Sequence, residues 1–355
     1  MNQTWNFSAG PAVLPQEVLE RARHELLDFD GRGMSVMEIS HRSKEFLDIL
    51  HRCEARLRRL MGIPSNYHVL FAQGGAWTQF AMVPMNLMKR GLAQYIDTGS
   101  WAAKAAEEAA KYGKVEIVAS SKSDKYANIP ALPAGWLNPG ADYVHLTTNN
   151  TIYGTTWHQI PDTGDVPLVA DMSSNILSQP YRIEDFGLIY AGAQKNIGPS
   201  GLTIVIVRED LIGDVAAYVP TMMQYRTFAE NESMFNTPPT FGIYLADLVF
   251  EWLENLGGVA AIHAENVAKA KLLYDFLDQS QAFQAVVDAP HRSLMNVVFR
   301  MENEAKEAEF LAKAEAARLY FLKGHRSVGG MRASLYNAMP IEGVAALVNL
   351  MKEWE

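Results

Sequence analysis

Seven short apolar runs punctuate the first two thirds of the chain, over residues 68–72, 94–98, 115–118, 143–146, 167–171, 187–191 and 203–207. Runs of this length, rich in β-branched and aromatic residues and bounded by Gly, Pro and Ser, read as buried strands. Helical spacing separates several of them, notably over 79–88 and 101–112. Alternating strands and helices predict a mostly parallel seven-stranded sheet with helices packed on its faces, an α/β fold. Residues 43–61 set Phe46, Ile49, Leu50, Cys53, Leu57, Leu60 and Met61 on one helical face, with Arg52, Arg56, Arg58 and Arg59 largely off it. A further helix over 245–255 stops at Gly257-Gly258.

Beyond that point the pattern changes. A long helix over 259–280 precedes strands at 283–287 and 296–300, a helix at 305–317, strands at 319–322 and 331–335, and a closing helix from Ile341. This predicts a small α+β unit of about 100 residues. The expected division is 1–257 and 258–355, with the N-terminal segment a candidate to pack on the smaller unit.

Composition narrows the classes. The 355 residues are 48% hydrophobic and 20% charged, as in a soluble globular protein. A net charge of −9 argues against a nucleic-acid surface, which needs a concentrated basic stripe. No apolar run reaches the roughly 18 residues of a membrane span, and the first residues lack the basic and apolar regions of a signal peptide. One cysteine, Cys53, cannot form an internal disulfide, and a reducing cytoplasm fits best.

The chemistry is read from the ends of the strand runs. Asp171 closes the run at 167–171, and Lys195 follows the run at 187–191. In an open α/β sheet such positions face the ligand crevice. An amine and a carboxylate placed there suit pyridoxal 5'-phosphate, the lysine holding the aldehyde and the acid keeping the pyridine nitrogen protonated. Gly74-Gly75 after the first strand, followed by a helical stretch, offers free N–H groups to a phosphate. The spacing is neither a dinucleotide fingerprint nor a Walker loop, which disfavours a nucleotide-dependent dehydrogenase. Trp101 begins a helix after a strand, where its indole fits either a stacking role or the core. Thr151 also follows a strand. Three basic clusters remain. His41-Arg42 follows Ser40, a candidate helix N-cap; His325-Arg326 lies in a glycine-rich loop; and Arg332 lies on the polar side of a strand. Arginine pairs bidentately with carboxylate and phosphate, so these clusters suggest a substrate with two anionic ends.

Longer segments complete a pattern: Asn6-Phe-Ser-Ala-Gly-Pro11, Ser35-Val-Met-Glu-Ile-Ser-His-Arg42, Tyr190 through Gly201, Met234-Phe-Asn236-Thr237-Pro-Pro239, and Lys323 through Pro340. From about residue 5 onward the chain resembles the phosphoserine aminotransferase family, class V among the fold-type I enzymes that use pyridoxal phosphate. The resemblance implies a homodimer with shared active sites. By it Lys195 carries the cofactor, Asp171 pairs with its ring nitrogen, Trp101 stacks on the ring and Thr151 meets the phenolic oxygen. Ala76, Trp77 and Gln194 would hold the phosphate, with Asn236 and Thr237 from a partner subunit. Arg332 would take the α-carboxylate. His41 and Arg42, with His325 and Arg326 from the other subunit, would take the distal phosphate or carboxylate. The implied substrates are glutamate, 3-phosphohydroxypyruvate, phosphoserine and 2-oxoglutarate. Some bacterial members also process the phosphorylated hydroxythreonine of pyridoxine synthesis.

Two departures from the family's usual motifs stand out. Its phosphate loop, commonly Gly-Gly-Gly-x-Gly-Gln-Phe, reads here Gly74-Gly75-Ala76-Trp77-Thr78-Gln79-Phe80, which should stiffen the loop. Its usual Asn-Glu-Thr is Asn149-Asn150-Thr151. Competing readings are an alanine, serine or glyoxylate aminotransferase, which would not need the His-Arg clusters, and a non-catalytic protein that binds pyridoxal phosphate. A cysteine desulfurase is disfavoured because Cys53 lies on an apolar helical face.

Overall fold

In the computed structural model, which describes residues 3–355, all seven predicted runs join one sheet. Its strands are β1 Tyr67–Ala72, β2 Leu92–Asp97, β3 Lys114–Ser120, β4 Val144–Thr147, β5 Leu168–Asp171, β6 Leu188–Gly192 and β7 Thr203–Arg208. Their order is β1-β7-β6-β5-β4-β2-β3. Only β7 runs antiparallel to its neighbours, β1 and β6; the remaining pairs are parallel. Strand order reverses between β4 and β2, and ligand crevices open at the carboxyl ends beside such a reversal. Trp101 follows β2, Thr151 follows β4, Asp171 ends β5 and Lys195 follows β6.

Side-chain alternation along the strands builds two cores, one on each face of the sheet. Phe71, Ile96, Leu146, Ala170, Ile189 and Ile204 pack on one face. Leu70, Tyr95, Tyr143, Val169, Tyr190 and Val205 pack on the other. The first face is covered by the helix Lys44–Met61, whose stripe Phe46, Ile49, Leu50, Cys53 and Leu57 is buried. Ser43 caps that helix by accepting from Phe46 N, and Gly62 ends it at φ 64°. Leu60 and Met61 are only partly buried, because the helix ends there. Ser40, the expected cap, instead accepts from Arg42 N within the preceding turn.

Three antiparallel strands, β8 Phe283–Ala285, β9 Asn296–Met301 and β10 Met331–Ser334, form the small sheet. Helices Gly258–Leu277, Glu304–Ala316 and Ile341–Lys352 accompany it, as the periodicity predicts. The run at 319–322 contributes only Leu319–Tyr320, which pairs with Trp5–Asn6 in parallel. Phe7 is fully buried in the small core with Phe283, Phe299 and Phe310. Val259 and Ile262, in the first turn of the helix that opens this unit, belong to the large core instead.

Charged residues off the apolar stripe lock two helices together. The Asp247 side chain is 1% exposed and sits between Arg56 (2.5 Å) and Arg52 (2.9 Å), and Arg56 also pairs with Glu251. Breaking a buried ion pair strands an uncompensated charge. Arg56→Ala, leaving Asp247 with Arg52 alone, is therefore expected to lower stability by about 3 kcal/mol. Urea unfolding measures this, and a loss below about 0.5 kcal/mol, the level of ordinary surface substitutions, would show that the carboxylate is solvated.

Candidate active site

A cavity of about 470 Å³ lies at the carboxyl ends of the sheet, lined by Gly74, Gly75, Ala76, Trp77, Trp101, Thr151, Asp171, Gln194, Lys195, His325 and Arg332 among others. The residues come from separate strand ends and from the small unit, as a strand-order reversal dictates. Nine of the predicted site residues thus meet in one chain.

Lys195 Nζ donates to Thr151 Oγ1 at 2.8 Å. Arg332 Nη1 donates to the Thr151 carbonyl at 3.1 Å, so Thr151 ties the amine of one unit to the guanidinium of the other. Burial pushes the Lys195 amine down to about 8, and the Arg332 charge adds to this, against the opposing pull of Asp171. Asp171 is 5% exposed. Burial raises its pKa, opposed by hydrogen bonds from Ser173 and Tyr190 and by the Lys195 charge. Ser173 N donates to Asp171 Oδ1 at 2.9 Å. The site therefore holds an amine biased toward neutrality beside a carboxylate whose burial is opposed by directed donors.

The glycine loop explains its own departure from the family pattern. Gly74 (φ 93°) and Gly75 (φ 67°) have positive φ, while Ala76 and Thr78 lie inside the helix Gly75–Leu87 and do not. A Cβ at Gly74 would lie 1.9 Å from Thr78 Oγ1. Glycine is required at the two positions that keep it, and the two that lost it have ordinary helical backbone. The helix begins at Gly75, four residues earlier than its periodicity suggests; its first-turn residues Gly75, Ala76 and Trp77 line the cavity, and the Gly75 N–H donates to Thr203 Oγ1 at 2.8 Å. Trp77 is 53% exposed and meets Trp101 edge-on, with ring centroids 5.9 Å apart. Lys104 Nζ lies 5.0 Å and 4.9 Å from the two ring centroids. Where an acid is usual, Asn150 donates to Thr155 Oγ1 and accepts from Thr98, bracing the loop before Trp101 without charge.

Other predicted residues lie elsewhere. Asn236 and Thr237 are exposed on the turn before the helix Thr240–Asn255, outside this cavity. Arg326 and Arg42 are exposed, and neither they nor His41 line the cavity. His41 Nε2 is buried without a hydrogen-bond partner. His325 lines the same chain's cavity as Lys195, because its loop precedes β10, which carries Arg332. Sequence reasoning missed Lys104, one turn beyond Trp101. It also missed Ala9 and Gly10 as lining residues, and the seam in which Asn149 Nδ2 donates to Asn296 Oδ1 at 2.9 Å. Buried Asn and Ser in loops leave no periodic signal.

The model of the family Aminotransferase class-V matches residues 4–347. A phosphoserine aminotransferase of Listeria monocytogenes is 56% identical over 100% of this chain and 97% of its own. The solved phosphoserine aminotransferase of Bacillus circulans subsp. alkalophilus is 49% identical, with a TM-score of 0.97 over 100% of this chain and 99% of that one. The phosphoserine aminotransferase of Trichomonas vaginalis, solved with pyridoxal phosphate bound, is 40% identical with a TM-score of 0.92, over 99% of this chain and 100% of that one. With a match across nearly its whole length, the chain belongs to the class-V aminotransferase family.

Proposed function

We propose that this protein transfers an amino group reversibly between glutamate and 3-phosphohydroxypyruvate, giving 2-oxoglutarate and O-phosphoserine, a step of serine biosynthesis. The observation that carries the reading is the buried Lys195 amine, set beside Asp171 and tied through Thr151 to Arg332. Full-length identity above 50% to proteins named for this reaction supports the choice of substrates.

The residues fit pyridoxal phosphate. Arg332 Nε is buried without a partner, an orphan donor that an incoming carboxylate would satisfy. Asp171 offers a carboxylate to a protonated ring nitrogen, and the helix N-terminus at Gly75 offers N–H groups to a phosphate. When bound, the cofactor supplies an aldehyde to accept the amino group and a ring that withdraws electrons from the reacting carbon. The chain does the rest. Arg332 holds the α-carboxylate, Trp101 covers one face of the site, and Lys195 Nζ takes the proton from the substrate Cα as general base and delivers it, as general acid, to the carbon on the other side of the transferred nitrogen. Asp171 keeps a negative charge where positive charge must persist, which stabilises the transition state electrostatically. Asn236 and Thr237, exposed outside their own cavity, and the cluster of His41 and Arg42 suit a homodimer in which each subunit completes the other's site. His325 and Arg326 would join that cluster at the distal anion.

Incubation with phosphoserine and 2-oxoglutarate should release glutamate, whereas unphosphorylated serine should not; equal turnover of both donors would favour a glyoxylate-type aminotransferase. Arg42→Ala is expected to raise KM for phosphoserine and for glutamate by about ten- to a hundredfold, the worth of one charged hydrogen bond, and unchanged steady-state kinetics would remove Arg42 from the site. A further expectation concerns the cofactor-free protein. The folded-state pKa of Lys195, about 8, lies below its ordinary 10.5. Between these values the unfolded chain binds more protons, so stability rises with pH. Below pH 8 the full cost of burying the charged amine is present. Lys195→Met should therefore melt a few degrees higher than the parent at pH 7, with the gap closing by pH 10.5. A pH-independent gap would show that the amine is not buried.

A further inference from the structure

Behind Asp171, in the core of the sheet face on which Ala76 and Trp101 pack, lie buried polar groups that the proposed chemistry does not use. Asp171 and Tyr190 are register partners on β5 and β6. Tyr190 is fully buried, and its hydroxyl faces the Asp171 carboxylate and favours its charged form. It also lies 2.8 Å from Nε2 of His145, which is 1% exposed in β4. The other imidazole nitrogen, His145 Nδ1, is buried with no partner. Tyr95 stacks on the imidazole, with centroids 4.7 Å apart and planes 21° apart, while its own hydroxyl is engaged with Tyr143 at 2.8 Å.

The direction of these bonds follows from proton counting. Burial holds His145 neutral, pushing it down to about 3, so the ring carries a single N–H. Burial and the Asp171 charge keep Tyr190 protonated, so its hydroxyl has one hydrogen to give. The ionisable groups around the pair are Asp171 and, packed against them, Tyr95, Tyr143 and Tyr225; Lys195 acts on Asp171 from the cavity side. If Nδ1 carried the imidazole proton, a buried N–H would be stranded and the Tyr190 hydrogen would be drawn to Nε2, away from Asp171. Orphaned buried donors are rarer than under-satisfied acceptors. The proton therefore sits on Nε2.

Resting on the transaminase reading above, we propose that Tyr190 and His145 are positioning residues forming a one-way donor chain, His145 Nε2–H to Tyr190 O–H to the Asp171 carboxylate, which holds Asp171 ionised against the cofactor's ring nitrogen. Neither touches substrate; both act through Asp171.

Long-range proton–nitrogen correlation on the 15N-labelled holoenzyme reads the tautomer directly, with His145 assigned by loss of its signals in His145→Gln. Protonation at Nε2 is expected, and a proton on Nδ1 would overturn the chain. In parallel, Tyr190→Phe should weaken cofactor binding and lower kcat about tenfold or more, the effect of one hydrogen bond to a charged group, with KM for phosphoserine moving less than about twofold. His145→Gln, whose amide can still donate to Tyr190, should recover most of what His145→Leu loses in cofactor affinity. Equal affinities in those two variants, or a Tyr190→Phe enzyme that retains cofactor and turnover like the parent, would show packing alone. A parent protein that binds no pyridoxal phosphate would defeat the transaminase reading and this inference together.

Discussion

Everything at the site turns on taking an amine and an acid out of water without letting them neutralise one another. Lys195 spends its hydrogen bond on Thr151, and no ion pair within 4.0 Å joins it to Asp171 among the described residues. Asp171 draws instead on Ser173 and Tyr190. Desolvation then acts on each group separately, favouring a neutral amine, while directed donors resist the same pressure on the acid. A direct salt bridge would have fixed both charges and left no group able to take up a proton.

That separation depends on the join between the two units. Arg332 reaches from β10 to the Thr151 carbonyl, and Asn149 meets Asn296 and Ser293 in a buried polar seam. The Tyr336 hydroxyl donates to the Ala9 carbonyl, which brings the N-terminal segment to the cavity. Buried polar contacts of this kind demand fixed geometry, because any unmatched group pays its full desolvation. The apolar small core, with Phe7 inserted into it, anchors the seam from behind.

The loop at Gly74-Gly75 shows how family patterns and local physics can part. A tally of glycines suggests a stiffened phosphate loop, yet only the two positions with positive φ constrain the residue type. Trp77, a bulky residue at the motif's variable position, projects to the surface and braces Trp101 edge-on. The change is absorbed at the mouth of the cavity and leaves the backbone donors in place.

Hydrophobic periodicity alone determined the seven strands, their mostly parallel sheet, the α+β tail and the buried face of the helix Lys44–Met61, because burial of alternate or every third and fourth residue leaves a local record. It also placed Lys195 and Asp171 at strand ends. Local order misjudged the start of the helix after Gly74, where positive φ and a helix start coincide, and the cap at Ser40, which the next serine supplies. Only tertiary structure decided the antiparallel β7, the strand pairing of residues 5–6, the arrival of His325 beside Lys195, and the Tyr190 and His145 groups behind Asp171. Those depend on contacts between residues far apart in the chain, where no spacing rule applies and the matching of buried donors to acceptors sets the outcome.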